Sequence, residues 1–233
     1  MSRRRTLAAT VPAAGLAAWS LPAAAKASGR FGTLLGVRSR LAGRPDVALT
    51  FDDGPHPSGT PAVLEALAAA GASATFFLVG EQVERHPALA REVLAAGHEI
   101  AVHCHRHRNL LRLTPGQTGE DLVRAESAIA DVTGRAVDRY RPPYGILSWP
   151  ALAHARRRGW SVLLWSAAGR DWSARATPAS IAAGALAGAG PGSVILLHDS
   201  DAYSAPRSWQ RTAAALPLLF EGLARLGLRA GPA

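Results

Sequence analysis

A single cysteine, Cys104, occurs in 233 residues, so no disulfide can form within the chain. That excludes a small disulfide-stapled scaffold, but not export, because a chain of this length can bury an adequate core without bridges. Lysine is equally scarce. Lys26 is the only one, and the net charge of +9 is carried almost wholly by arginine. Such a surface attracts anions in general, but the chain has no basic stripe interleaved with aromatics, no helix-turn-helix pattern and no zinc-finger spacing, so nucleic acid is not an expected partner. There is also no internal repeat, and no low-complexity linker follows Arg44. Charged residues make up 18 % of the chain and apolar ones 48 %, a balance that excludes disorder over most of its length.

The N-terminus reads as an export segment. Arg3, Arg4 and Arg5 precede an uncharged, Ala-rich stretch from Thr6 to Ala25, and Ala23-Ala24-Ala25 offers a small-residue cleavage site. Residues 1–27 are therefore expected to be a signal or, uncleaved, an N-terminal anchor that brings the protein to the membrane. Pro12, Pro22 and the many alanines make a poor span. Residues 28–45 read as a linker and residues 46–233 as one catalytic domain. An exported or envelope-associated monomer is expected.

From Asp46 onward short apolar runs alternate with longer helical patterns, which predicts βαβ units around a parallel sheet. Strands are expected at Val47–Phe51, Ala74–Val79, Glu99–Val102, Ala136–Tyr140, Ser161–Trp165 and Ser193–Leu197, with a stub at Leu228–Ala230. Thr60-Pro61 reads as an N-cap and first helical residue, Thr114 to Gln117 as a capping box, and Thr177-Pro178 as another helix start.

The polar residues with chemical potential follow these strands. Asp52 and Asp53 follow the first; His103, Cys104, His105 and His107 the third; Arg141 the fourth; Asp171 and Trp172 the fifth; His198 and Asp199 the sixth. In parallel α/β folds the carboxyl ends of strands share one face, where ligands bind. Two adjacent carboxylates repel unless a cation or strong donor separates them. One can bind a metal while the other stays free as a base. His103 and His107 are spaced to share a metal across a helical turn, whereas His103 and His105 would share a side of an extended segment. Two imidazoles and one carboxylate with open positions suit zinc and tolerate cobalt, nickel or manganese. Asp171 can orient His198 and raise its pKa, and Arg141 can pair with Asp52.

These segments, in this order, resemble the signatures of the NodB-homology polysaccharide deacetylases, carbohydrate esterase family 4. Thr50-Phe51-Asp52-Asp53-Gly54 resembles the first; Gly97-His98-Glu99-Ile100 leading to His103-Cys104-His105-Arg106-His107 the second; and Arg141-Pro142-Pro143-Tyr144-Gly145 the third. Asp171-Trp172 is similar to the end of the fourth, and Ile195-Leu196-Leu197-His198-Asp199 to the fifth. The resemblance implies a distorted (β/α) barrel of about seven strands and a metal-dependent hydrolase that removes N-acetyl groups from envelope amino-sugar polymers, peptidoglycan-like or chitin-oligomer-like. It implies Asp53, His103 and His107 as metal ligands, Asp52 as general base and His198 as general acid. Arg141 would tether the base and Asp171 tune the acid. The Tyr144 backbone N–H would help bind the oxyanion, and Trp172 and Leu196 would line the acetyl pocket. Two positions depart from the pattern: Cys104 stands where Ser or Thr is usual, and Ala168 where Asp is usual. The rival readings are a same-fold metal hydrolase of a non-sugar amide or imide, and a non-catalytic carbohydrate-binding protein. The segment Ser200–Gln210, with Asp201, Tyr203 and Trp209, is a candidate for gripping sugar rings.

Overall fold

The computed structural model describes residues 19–233. Most of the expected export segment, residues 1–18, lies outside the described residues, and no described helix is long and apolar enough to cross a membrane. The sheet is built from nine strands: β1 (Val37–Arg38), β2 (Val47–Asp52), β3 (Thr75–Val79), β4 (Glu99–Cys104), β5 (Arg139–Tyr140), β6 (Ser161–Leu163), β7 (Ala167–Ala168), β8 (Val194–His198) and β9 (Ala230–Gly231). Their order is β1-β6-β5-β4-β3-β2-β8-β7, with β9 also paired to β2, and every pairing between these strands is parallel. Together they curl into a half-barrel wrapped by helices.

The helices fill the connections. They are α1 (Gly29–Leu34), α2 (Gly59–Ala69), α3 (Gly80–Arg85), α4 (Pro87–Ala95), α5 (Pro115–Thr133), α6 (Trp149–Arg158), α7 (Pro178–Ala187) and α8 (Ser208–Arg225). Strands β2 and β3 are buried at every position, as expected of parallel strands covered on both faces. Phe51 and Phe76 stack with centroids 5.1 Å apart across this pair. The box at α5 forms as read, Thr114 and Gln117 exchanging side-chain-to-backbone hydrogen bonds, and the helix start read at Thr177 is itself a capping box, with Ser180. At the outer layer α7 and α8 approach closely because Gly222 lacks a Cβ, which would collide with the Leu186 side chain.

The expected (β/α) barrel architecture stands, and three details within it are adjusted. The 28–45 stretch is not a bare linker, because it contains α1 and β1, and β1 joins the sheet edge by pairing Val37 with Val162. Two-residue strands such as β1 and β7 are too short to leave a periodic signal, so nine strands stand where about seven were expected. Thr60 does not cap α2. Its hydroxyl accepts the His56 N–H at 2.7 Å and donates to Asp199, so this Thr is committed to the rim of the sheet, and Ser58 occupies the cap position.

The segment before β1 is integrated as well. A short 3-10 helix, Leu21–Lys26, buries Pro22 and Ala25. A Cβ on Gly32 would lie 3.3 Å from the Ala25 carbonyl. Past β1, Arg40 forms an antiparallel bridge with Ser193, and the Leu41 N–H donates to the Gly192 carbonyl at 2.8 Å, drawing the β1 edge toward the other end of the sheet.

Candidate active site

Strand β2 ends on Asp52, paired in register with His198 of β8 and Phe77 of β3. Successive strand side chains point to opposite faces, so Asp52 and Asp53 could not both face one cleft if the strand simply continued. At Asp53 the backbone turns left-handed, with φ 80°. For a non-glycine residue this costs about 1–3 kcal/mol and persists only where the surroundings enforce it. Both carboxylates, 3 % and 2 % exposed, then face the cleft.

Opposite them, β4 and the turn after it supply His103 and His107. The Nε2 atoms of both lie 3.4 Å from Asp53 Oδ1. The His103 Nδ1–H donates to the Arg141 carbonyl at 2.7 Å, which leaves the Nε2 lone pair facing Asp53. Asp53 Oδ1 is buried without a hydrogen-bond donor. Ligand atoms of Asp53, His103 and His107 all lie within 4.8 Å of one another. Burial lowers the His107 pKa to about 4 despite the Asp53 charge, so the ring is neutral. Burial raises the Asp53 pKa, but the closeness of the His103, His198 and His107 imidazoles outweighs it and holds the carboxyl at about 2. A buried carboxylate with one oxygen lacking a donor and two imidazoles whose Nε2 atoms face that oxygen fit a divalent cation.

His105 does not join this group. It is buried beneath Gly80, where a Cβ would sit 2.7 Å from its Nδ1, and its Nε2 is 4.0 Å from Glu84. The turn carrying His107 is braced instead by buried Asp121 of α5. Asp121 accepts the His105 N–H at 2.8 Å, the Arg106 N–H at 3.2 Å and Arg108 Nη2 at 2.7 Å. Cys104, which replaces the Ser or Thr usual in the resembled pattern, is fully buried, and burial pushes its thiol pKa well up. Asp121 gave no sequence signal, because an acidic residue within an amphipathic helix looks like solvated surface.

Arg141, fully buried, donates from Nη1 to Asp52 Oδ1 at 2.7 Å and to Thr50 Oγ1 at 2.9 Å. Its Nε and Nη2 donate to the Leu163 and Leu164 carbonyls, and the guanidinium lies over the Phe77 ring. On the other side the His198 Nδ1–H donates to Asp171 Oδ1 at 2.9 Å. Asp171 Oδ2 accepts the His198 N–H at 2.7 Å and the Thr212 hydroxyl at 2.8 Å. Burial lowers the His198 pKa, but the charge and hydrogen bond of Asp171, with Asp53 and Asp52 beyond, raise it to about 10.

Lys26, Tyr144, Trp165, Trp172, Leu196, Tyr203, Ser204 and Ala205 complete a cleft of about 440 Å³ around Asp52, Asp53, His103, His107 and His198. Trp172 meets His198 edge-on at 5.5 Å. Tyr203 stacks on His107 with centroids 4.5 Å apart and planes at 14°, while its hydroxyl donates to Glu81 at 2.7 Å. Elsewhere in the Ser200–Gln210 segment, Asp201 pairs with His56 at 3.2 Å, and Trp209 packs 6.1 Å from the same ring. Asp199 lies below the cleft, its pKa raised by burial to about 7.

Residues 40–163 match the family model described as polysaccharide deacetylase. The chitooligosaccharide deacetylase of Bradyrhizobium sp. (strain ANU 289) is 37 % identical over 199 residues, covering 82 % of this chain and 90 % of that protein. Among solved structures, the Bc1960 peptidoglycan N-acetylglucosamine deacetylase superposes with TM-score 0.77 at 30 % identity, over 83 % of this chain and 88 % of that one. The family 4 carbohydrate esterase from Streptomyces lividans superposes with TM-score 0.72 at 33 % identity, over 80 % of this chain and 92 % of that one. A model match across more than half of the chain, joined to relatives aligned over nearly their whole length, makes this chain a member of the polysaccharide deacetylase family.

Proposed function

We propose that the protein is a metal-dependent N-deacetylase of amino-sugar glycans of the cell envelope, peptidoglycan-like or chitin-oligomer-like. The observation that carries this reading is the convergence of the Asp53, His103 and His107 ligand atoms on one point, flanked by Asp52 on one side and His198 on the other. Its relatives' names, a chitooligosaccharide deacetylase and a peptidoglycan N-acetylglucosamine deacetylase, support the substrate class. The N-terminal pattern of arginines and alanines supports action outside the cytoplasm.

A divalent cation held by Asp53, His103 and His107, zinc by preference with cobalt, nickel or manganese as substitutes, would supply Lewis-acid activation of water and of the acetyl carbonyl. The chain's own groups move the protons. Asp52, oriented by Arg141 Nη1, takes a proton from the water that attacks the acetyl carbon. The backbone N–H of Tyr144 supports the developing oxyanion. As the C–N bond breaks, His198 gives its Nε2 proton to the departing amine, and Asp171 steadies the ring through Nδ1. Trp172 and Leu196 enclose the acetyl methyl. The products are acetate and a free amino sugar.

Acetate release from chito-oligosaccharides and from peptidoglycan, measured on metal-loaded and chelated protein beside a panel of small non-sugar amides, tests the proposal. Chelator-sensitive acetate release from either glycan is expected. Loaded protein that releases none from both, or that cleaves only the small amides, overturns it.

A further inference from the structure

Lys26, the only lysine in the chain, stands outside the family match, which begins at residue 40, yet it lines the cleft. The 3-10 helix Leu21–Lys26 is anchored by buried Pro22 and Ala25 and ends on this residue. From there the side chain crosses to the loop after β5. Its ammonium donates to the Tyr144 carbonyl at 2.7 Å and lies 4.9 Å above the Trp165 ring. Its stem passes over Gly145, where an added Cβ would lie 3.2 Å from Lys26 Cδ and 2.8 Å from the Trp165 ring. Among the described residues no carboxylate pairs with Lys26, and the sequence of residues 1–18 contains no acidic residue.

The turn that Lys26 touches is held in an unfavourable conformation. Tyr144 has φ 60° and Gly145 φ 66°. A non-glycine residue in the left-handed region persists only when its surroundings over-determine it. Two backbone bonds shape the turn: the Gly145 N–H donates to the Pro142 carbonyl at 2.9 Å, and the Ile146 N–H to the Pro143 carbonyl at 3.0 Å. Neither fixes the Tyr144 carbonyl. The bond that does comes from Lys26, 118 residues away in sequence.

We propose that Lys26 is a positioning residue for the acyl-binding turn: its ammonium clamps the Tyr144 carbonyl over Trp165 and so fixes the orientation of the Tyr144 peptide at the cleft. The segment that reads as the tail of an export signal is then a wall of the active site. The catalytic consequence rests on the deacetylase reading above; the clamp does not. Lys26→Met keeps the stem and removes the charge and donors, whereas Lys26→Arg keeps both.

Amide hydrogen exchange of the metal-free protein tests the clamp without substrate or cation. Lys26→Met should speed exchange of the Gly145 and Ile146 amides by about tenfold, the size of one charge-assisted hydrogen bond, and leave β2 and β8 unchanged. In the loaded enzyme it should lower kcat by about tenfold with KM within about twofold, as when an interaction made only in the transition state is removed. Lys26→Arg should restore both. Unchanged exchange at the turn in Lys26→Met overturns the proposal. So does exchange accelerated throughout the domain in both variants, which would make Lys26 a general stabilising residue. Wild-type protein that releases no acetate from any glycan sinks the deacetylase reading instead and leaves the exchange result to judge the clamp.

Discussion

The carbonyl of Arg141 accepts the Nδ1–H of His103 at 2.7 Å. One residue therefore orients an imidazole of the proposed metal site with its backbone and braces Asp52 with its side chain. The two functions can be separated by mutation, because only the second depends on the guanidinium.

Arg141→Met should destabilise the fold by about 3–5 kcal/mol, since it leaves Asp52 as a buried charge without its partner. The backbone bond to His103 survives, so cation affinity in the folded fraction should change little. Urea denaturation and a metal titration of the same preparation separate the two effects.

Asp52→Asn should bind the cation nearly normally and lose about 10²–10⁴-fold in kcat, the usual contribution of a general base. Asp53→Asn should fail at the earlier step and lose the cation. Calorimetric titration beside acetate release distinguishes them, and turnover by Asp52→Asn close to wild type would refute the proposed role.

His198 should titrate near pH 10 in the metal-free wild type, where Asp171 outweighs the effect of burial. Because this folded-state pKa lies above the ordinary 6.5, the stabilisation is fully present below pH 6.5 and fades as pH rises toward 10. Asp171→Asn should lower the His198 pKa, remove that stabilisation and move the alkaline limb of the activity profile to lower pH. NMR titration of the imidazole and a kcat–pH profile read both shifts.

Tyr203→Ala should weaken cation binding by about 10-fold, at the low end of outer-shell effects on ligand orientation, because it removes the ring stacked on His107. Tyr203→Phe keeps the stack and gives up only the hydroxyl bond to Glu81. It should bind the cation more like wild type, as competition with a chromogenic chelator would report.

The site residues that stand out in the sequence are those placed directly at strand ends. Asp52 and His198 follow apolar runs and Arg141 the expected fourth strand, and the parallel pattern alone sends them to one rim. The choice between His105 and His107 was open on spacing alone and came from the family resemblance, because it depends on how the chain turns after Cys104 and on Asp121 binding that turn from a distant helix. Lys26 was hidden for a different reason. An alanine-rich segment after three arginines looks like a leader whatever its last residues touch. Thr60 carried a local signal for a helix start, and the buried Asp199 claimed its hydroxyl instead. In each case an interaction between residues remote in sequence overrode a local pattern.

The left-handed bend at Asp53 brings a carboxylate to histidines only about fifty residues further along the chain, whereas the acid on the facing wall depends on Thr212. On the ribosome, where folding proceeds from the N-terminus, the proposed cation cradle is thus synthesised well before the proposed acid. A chain interrupted between residues 141 and 198 would carry the proposed ligands and the proposed base with its tether, but not the histidine assigned to protonate the leaving amine.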